Sequence, residues 1–186
     1  MKGIIFNLFE AIVIEEFGHD AWEGVLDTAN SDGAYTAVGS YDDAEFLRLA
    51  SVAAEQLDTP IDDLVRSFGR KCLPILAARY PAFFTPHVST KPFLLTLNEV
   101  IHPEVRKLFP GAYAPSFKFD DSVPDQITLT YQSHRNLCSF AEGLIEGAAD
   151  HYGDSVSISQ PECAKRGDEN CVLVANFNPH SNGHNP

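Results

Sequence analysis

Basic residues are scarce in this 186-residue sequence, which has 13 Lys and Arg against 26 Asp and Glu and a formal net charge of −13. A surface of that sign repels phosphate backbones and anionic membrane faces, so we expect no nucleic-acid partner. Long apolar runs are also lacking, since no stretch approaches the roughly 18 residues of a membrane span. The apolar segment 1–17 is broken by Asn7, Glu10 and Glu15, which indicates a folded helix rather than a signal peptide. We therefore expect a cytoplasmic protein without membrane insertion.

Cysteines number only four, too few for a disulfide scaffold in a chain of this size. Common enzyme motifs are missing as well: there is no Gly-x-Ser-x-Gly, no phosphate-binding loop and no Gly-x-Gly-x-x-Gly. We therefore expect a protein that receives a signal, not an enzyme. The length and the 44% hydrophobic content predict one domain over residues 1–178, with a helical part at about 1–60. The polar segment 179–186 is predicted to be disordered.

Hydrophobic periodicity predicts helices in the first hundred residues and mainly strands after residue 115. Apolar residues spaced by three and four predict a first helix up to Phe17 and a second helix that starts near Ser40 or Asp42. This order predicts an α+β fold, with a helical N-terminal part and a C-terminal part of helices and a four-stranded antiparallel sheet. Further helices are predicted at 61–68 (ending at Gly69), 71–80, 93–109 (with a break at Pro103) and 139–152, and strands at 116–120, 126–134, 155–159 and 172–177.

A Tyr-x-Ser-x-Arg sequence occupies the end of the second predicted strand, at Tyr131, Ser133 and Arg135. Alternate residues of a strand share a face, so these three are expected to point inward with Ile127 and Leu129. Two hydroxyls and a guanidinium are costly to bury without an anion, and the guanidinium fork suits a carboxylate. The pattern indicates either an inward site for a dicarboxylate or a surface strand whose pattern is accidental.

His102 lies on the same predicted helical face as Leu94, Leu97 and Val105. A histidine there is either an ordinary, partly buried residue or the axial ligand of a haem iron, with its other ring nitrogen bound to a backbone carbonyl or water. An inward imidazole together with an inward anion site is what a flat, apolar, dicarboxylate macrocycle requires.

The opening segment Met1-Lys2-Gly3-Ile4-Ile5-Phe6-Asn7, together with His102, Pro115 and the Tyr-x-Ser-x-Arg sequence, resembles the H-NOX family of haem nitric oxide/oxygen binding domains. The match is in register along nearly the whole chain. The resemblance implies a fold that encloses haem b, with His102 as the iron ligand. By the same resemblance the haem propionates are bound by Tyr131, Ser133 and Arg135, and the macrocycle is distorted by Ile5 and Pro115.

The resemblance also implies which gas is sensed. Oxygen-binding members have a tyrosine, on the helix after the Tyr-x-Ser-x-Arg strand, that donates a hydrogen bond to bound dioxygen, and Phe140 stands at that position here. An apolar distal pocket favours nitric oxide, and also carbon monoxide, because neither gas needs that donor. Tyr80 or another tyrosine would change this expectation if it reached the pocket. The implied distal residues are Phe9, Pro74, Ala78, Phe140 and Leu144.

Signalling is implied in the same way. Nitric oxide would weaken or break the bond between iron and His102, and the distorted haem would then relax. The change would act on a separate protein, for which the resemblance points to a histidine kinase or a cyclic-di-GMP synthase or phosphodiesterase. Pro103 is unexpected at its position and marks either a hinge or a helix start.

Three of the cysteines, Cys138, Cys163 and Cys171, form a second group of interest, because thiolates gathered in space suit zinc. Some bacterial members of the family that the sequence resembles hold zinc there with three cysteines and a histidine, but this sequence has Gln160 at the histidine position. Three alternatives follow: His151 substitutes as the fourth ligand, the thiols act in redox sensing, or the cysteines pack as small apolar side chains.

Other functions stay open at the level of sequence. A thiol or zinc redox sensor would rely on the cysteines, with haem secondary or absent. A haem enzyme acting on oxygen or peroxide would need a distal acid or base, which the expected apolar pocket lacks. A small-ligand-binding module is suggested by Gly143, Gly147 and the loop from Cys163 to Cys171, which also resemble the vinyl reductase type of domain.

Overall fold

The computed structural model describes residues 1–178, and the segment 179–186, predicted to be disordered, lies outside this range. Seven α-helices and a four-stranded antiparallel sheet make up the described part, so the predicted α+β class is confirmed. Within this range, none of the helices has both the length and the apolarity needed to span a bilayer. The helices are α1 (Gly3–Phe17), α2 (His19–Ala29), α3 (Asp43–Gln56), α4 (Ile61–Arg79), α5 (Thr90–Leu95), α6 (His102–Leu108) and α7 (Cys138–Tyr152). The strands are β1 (Ser116–Asp120), β2 (Gln126–Gln132), β3 (Ser155–Glu162) and β4 (Cys171–Asn178), in the order β1-β2-β4-β3.

The N-terminal helices form where the sequence places apolar residues three and four apart. α1 buries Ile4, Leu8 and Ile12 along one face. α3 begins in the predicted region, because the Asp42 carboxylate caps it by accepting a hydrogen bond from the Ala44 N–H at 3.0 Å. These helices pack with α4 around a core that is rich in aromatic rings.

The helix α2 lies in a segment for which the sequence analysis predicts no helix. Its apolar stripe is short, with Trp22 and Val25 buried, and the interior Gly24 lowers its helix propensity. The helix ends at Asn30, which adopts the left-handed φ of 51°. Packing against α1 and α3 therefore stabilises α2 more than its local sequence does.

The predicted helix end at Gly69 is wrong, because α4 runs unbroken from Ile61 to Arg79 and includes Pro74. Gly69 lies against α7, where a Cβ atom would approach the Phe140 carbonyl oxygen to 2.5 Å. The glycine therefore permits close packing of two helices instead of ending one. Pro74 is exposed on the outer face of the helix.

Glycines let α4 and α7 pack backbone to backbone. A Cβ atom on Gly143 would lie 1.9 Å from the Arg66 carbonyl oxygen, and one on Gly147 would lie 2.5 Å from the Arg70 carbonyl oxygen. The two helices therefore behave as one unit that forms a wall of the site. Three ion pairs also connect them: Arg66 with Glu142 at 3.0 Å, Arg66 with Glu146 at 2.6 Å and Arg70 with Asp150 at 2.6 Å.

The segment that carries His102 is irregular. The helix predicted over 93–109, with a break at Pro103, is found as α5, a π-turn at Leu97–Ile101 and α6. In the π-turn the amides of Val100 and the next residue both donate to the Thr96 carbonyl, at 2.9 and 3.1 Å. Pro103 lies in the first turn of α6, where a missing N–H costs no helical hydrogen bond, so it marks a helix start. The break in regular helix precedes the histidine instead of following it.

A second cluster of buried apolar residues lies between the sheet and the helices α5 and α7. The inner face of β2 alternates as predicted, with Ile127, Leu129 and Tyr131 buried. Residues of both clusters line the cavity described next.

Candidate functional site

A cavity of about 300 Å³ opens between the two clusters, within the size range of pockets for small molecules and cofactors. Its walls come from α1, α4, the segment from α5 to α6, the sheet and α7, and most of its lining is apolar. The cavity therefore suits a large apolar ligand with a few polar groups. The polar side chains that line it are those of Lys2, Tyr80, His102, Tyr113, Tyr131, Ser133 and Arg135.

His102 is the first residue of α6, and its imidazole is partly buried at the cavity wall. Burial lowers the pKa of His102 to about 4, with a further lowering by Arg106, because both disfavour the imidazolium form. The ring also donates a hydrogen bond to the Pro115 backbone carbonyl, which partly offsets this shift. At neutral pH the imidazole is therefore uncharged, and its second nitrogen has a lone pair available as a ligand.

The Tyr-x-Ser-x-Arg residues lie together at the cavity, but they do not share a strand face as predicted. β2 ends at Gln132, and Ser133 and Arg135 lie in the turn that follows. The turn is stabilised by the Arg135 N–H, which donates to Ser133 Oγ at 3.2 Å. Tyr131 comes from the buried face of β2, and burial raises the pKa of its hydroxyl, which also has hydrogen-bond contacts with the Ser133 side chain and the Leu137 backbone. A turn, not strand alternation, brings the three side chains to one end of the cavity.

Arg135 is held by partners from two distant parts of the chain. Its Nε donates to Asp43 Oδ2 at 2.7 Å, and its Nη1 donates to the Tyr113 carbonyl at 2.9 Å. Asp43, at the start of α3, also forms an ion pair with the Met1 amino group at 2.7 Å. Burial alone would raise the pKa of Asp43, but the hydrogen bonds from Arg135 and the Met1 amino group outweigh it and lower the pKa to about 2. Sequence reasoning missed Asp43, because 92 residues separate it from Arg135.

Asp43→Asn is expected to lower the free energy of unfolding by about 1–3 kcal/mol, since it leaves two cations without an ionised partner. The folded-state pKa of Asp43, about 2, lies below the ordinary value of 3.8. The stabilisation is therefore present above 3.8 and is lost as the pH falls towards 2. Chemical denaturation of the wild type and of Asp43→Asn, from neutral pH downward, should show a difference in the free energy of unfolding that becomes smaller as the pH falls from 3.8 towards 2. Asp121→Asn, at an exposed loop residue, is the control, and a pH-independent difference for Asp43→Asn would contradict the ion-pair assignment.

The helical wall of the cavity agrees only in part with the expected distal pocket. Phe140 and Leu144 of α7 line it, as do Ile5 and Pro115. The other three positions require correction: Phe9 is buried in the N-terminal core against Phe46 and Phe68, and Pro74 and Ala78 are exposed. Because α4 is one continuous helix, its cavity-facing residues are Leu73, Leu76 and Tyr80 instead.

Tyr80 brings a phenol to the cavity wall. Its ring packs edge-on near Phe109, with 6.5 Å between the ring centroids, and Phe109 directly follows α6. The ring of Phe140, by contrast, stacks on Phe68 at 5.3 Å within the α4–α7 wall. Tyr80 therefore packs beside the end of the helix that carries His102.

The three cysteines predicted to cluster do so. Cys138 opens α7, Cys163 follows β3 and Cys171 opens β4, and their three Sγ atoms lie within 4.8 Å of one another. All four cysteines of the chain are free thiols. Burial raises the pKa of Cys171 to about 12, whereas the pKa of Cys163 is lowered, because contacts with the Lys165 backbone and the neighbouring thiols outweigh its burial.

A fourth zinc ligand is missing from this cluster, since no histidine or carboxylate in residues 1–178 joins the three thiols. His151 lies near the opposite end of α7 from Cys138 and packs against Phe84 at 5.3 Å, so it does not substitute. The Gln160 side-chain Nε2 is buried without a hydrogen-bond partner.

The family model for haem-NO-binding domains matches residues 2–160 of this chain. The fold is similar to the crystal structure of an H-NOX protein from S. oneidensis in the Fe(II)NO ligation state, with a TM-score of 0.90. The two sequences are 32% identical, and the match covers 96% of this chain and 100% of that chain. The Fe(II) unliganded H-NOX protein from K. algicida is 27% identical, with a TM-score of 0.89, covering 97% and 98% of the two chains. This chain belongs to the haem-NO-binding family, the H-NOX domains. It is therefore a haem-binding, gas-sensing domain, and the match favours that function over the vinyl-reductase-like alternative.

The residues of this H-NOX domain fit a haem. The cavity has an uncharged imidazole at one wall and an arginine, a serine and a tyrosine gathered at one end, and apolar side chains supply most of the rest. The two carboxylates of a macrocycle would find hydrogen-bond donors in those polar groups. The donor set therefore agrees with the family.

Proposed function

We propose that this H-NOX domain is a cytoplasmic sensor of nitric oxide, and also of carbon monoxide, that discriminates against oxygen and binds haem b through His102. The observation that carries the proposal is the position of His102, whose imidazole lines a cavity that has an apolar α7 wall and the Tyr131, Ser133 and Arg135 side chains in its lining. Bound haem would supply an iron that coordinates diatomic gases.

Different residues of the chain would then bind the iron and the propionates of the haem. The second nitrogen of His102 would hold the iron, and Tyr131, Ser133 and Arg135 would hold the propionates. Arg135 is suited to this because Asp43 and the Tyr113 carbonyl already fix its guanidinium. Ile5 and Pro115 line the same cavity and would press on the macrocycle.

Selectivity would follow from the apolar wall. Bound dioxygen carries partial negative charge and is stabilised by a donor, which Phe140, Leu144 and Leu76 do not provide. Nitric oxide and carbon monoxide do not need that donor. Tyr80 also lines the cavity, and we propose that it donates no hydrogen bond to the bound gas, because its ring packs near Phe109, beside the end of α6.

The signal would leave through α6. Nitric oxide binding would release His102, and the helix that begins at this residue would then move relative to the sheet. We propose that a separate signalling protein reads this movement, either a histidine kinase or a cyclic-di-GMP synthase or phosphodiesterase.

The proposal is tested by visible absorption of the purified, reduced protein under argon, then in air, then with nitric oxide. A haem spectrum that is unchanged in air and shifts with nitric oxide is expected. A stable new spectrum in air would overturn the selectivity, and absence of a haem band after haem addition would overturn the whole assignment.

Phe140→Tyr is expected to add oxygen affinity, because a phenol at this lining residue supplies the missing donor; a hydrogen bond typically gives about 0.5–1.5 kcal/mol, or roughly a threefold to tenfold gain. Oxygen titration of the ferrous protein measures the effect. The matched control is Phe140→Leu, which changes shape without adding a donor. Equal oxygen binding in both variants would indicate that pocket volume, not the donor, sets selectivity.

Zinc binding or thiol redox sensing at the three-cysteine cluster is a second candidate function, supported by three buried Sγ atoms within 4.8 Å. Zinc would be held by these thiolates with its fourth position open to water. Metal analysis should find equimolar zinc in the wild type and in Cys72→Ala, whose thiol lies elsewhere, and none in Cys163→Ser. Zinc-free wild-type protein whose thiols are lost on mild oxidation would favour the redox alternative.

A further inference from the structure

The π-turn at Leu97–Ile101 is fastened to the edge strand β1 by one side chain. Asn98 Nδ2 donates to the Phe117 carbonyl at 2.5 Å, and the Phe117 N–H donates to Asn98 Oδ1 at 3.2 Å. Both polar atoms of one carboxamide are thus paired with both backbone groups of one residue. Such a two-point contact fixes position and orientation together.

β1 lies at the edge of the sheet, with β2 as its neighbour. Phe117 stands opposite Tyr131 in this pair, but its N–H and C=O are bound to Asn98 and therefore point away from β2. The carboxamide occupies the place that a further strand would take. It closes the open edge at this residue, where unpaired backbone groups would otherwise remain.

The same short segment also anchors His102. The centroid of its ring lies 6.0 Å from that of the Phe117 ring, and the imidazole is within hydrogen-bonding reach of the carbonyl of Pro115, two residues before Phe117. The segment 115–117 is therefore contacted at two points, by Asn98 on the π-turn and by His102 at the start of α6. If the contact from Asn98 is lost, the position of His102 relative to this segment can change.

We propose that Asn98 is a positioning residue for His102, which sets the distance between the π-turn and β1 and so maintains the hydrogen bond from the imidazole to Pro115. This inference rests on the proposed function, in which His102 is the iron ligand. A hydrogen bond from the outer ring nitrogen raises the basicity of a ligating imidazole and strengthens its bond to the metal. Loss of Asn98 therefore weakens the bond between iron and His102 and makes its release by nitric oxide easier.

The test compares holoprotein of the wild type with Asn98→Ala and Asn98→Asp. Asn98→Asp keeps an acceptor for the Phe117 N–H but loses the donor to the Phe117 carbonyl, and it keeps the shape of the side chain. Asn176→Ala is the matched control, because it removes an amide pair with Gln126 (2.7 Å) between β2 and β4 rather than on the β1 edge.

Two quantities are measured: amide hydrogen exchange at Phe117, and the iron–histidine stretching band of the unliganded ferrous protein by resonance Raman. Asn98→Ala should accelerate exchange at Phe117 and lower the frequency of the band, and release of His102 by nitric oxide should be roughly fivefold faster, as expected for one hydrogen bond. Asn98→Asp should lower the band while the Phe117 amide stays protected. Asn176→Ala should change neither quantity.

The outcomes separate this inference from the proposed function. If both Asn98 variants have the iron–histidine band at the wild-type frequency, although exchange at Phe117 accelerates in Asn98→Ala, the inference is overturned. The proposed function would still stand. If the wild type itself lacks the band, the proposed function fails and the inference fails with it.

Discussion

His102→Gly should lose the native iron coordination of the haem and regain a histidine-like spectrum when imidazole is supplied. Among residues 1–178, His102 is the only histidine that lines the cavity, so no neighbouring imidazole can replace it. Loss of an outer partner of a metal-bound histidine costs about 10–100-fold in metal affinity, and loss of the ligand itself should cost more. The glycine leaves a gap beside Pro115 and Phe117 that free imidazole can fill.

The measurement is the absorption spectrum of the reduced variant with and without imidazole. His19→Gly is the control, because His19 is exposed at the start of α2 and does not line the cavity. Its spectrum should match that of the wild type. An unchanged spectrum in His102→Gly would overturn the ligand assignment, whatever the family match implies.

The polar residues that line the cavity could be predicted from the sequence more accurately than the apolar ones. His102 and the Tyr-x-Ser-x-Arg residues could be identified from the sequence because each is a polar residue within an apolar pattern. The family resemblance then assigned them to one site. The walls depend on helix phase. Pro74 and Ala78 were placed at the pocket by the family resemblance, whereas in the folded chain α4 turns Leu73 and Leu76 toward the cavity and leaves Pro74 in solvent.

Contacts between residues that are distant in the chain could not be predicted from the sequence, for a physical reason. Asp43 reads as an ordinary first-turn acid of α3, and only the folded chain brings it to Arg135. Asn98 likewise reads as a polar residue on a helix, because the π-turn that aims it at Phe117 is not encoded by a distinct pattern. Gly69 cannot be distinguished from a helix-ending glycine until α7 is packed against it.

Gly143→Ala should be the most destabilising single-methyl change at the α4–α7 contact. A Cβ atom there would lie 1.9 Å from the Arg66 carbonyl oxygen and 2.8 Å from the Arg70 nitrogen, and both are backbone atoms of a helix that cannot yield locally. Alanine favours helix over glycine by about 1 kcal/mol, but overpacking in a closed contact costs roughly 3 kcal/mol or more, so a net loss of about 2–3 kcal/mol is expected. Chemical denaturation of the holoprotein measures it.

Gly24→Ala is the matched control, since it places the same methyl group on a helical glycine of α2 whose nearest neighbour atom is a flexible Gln56 side chain at 3.7 Å. That variant should be more stable than the wild type by up to about 1 kcal/mol, because only the gain in helix propensity remains. Separation of α4 from α7 would also displace Phe140 and Leu144, so Gly143→Ala should alter the haem spectrum and Gly24→Ala should not. If Gly143→Ala were as stable as Gly24→Ala, the glycine would not be what lets the two helices meet, and the cavity wall would have to be fixed by the ion pairs of Arg66 and Arg70 instead.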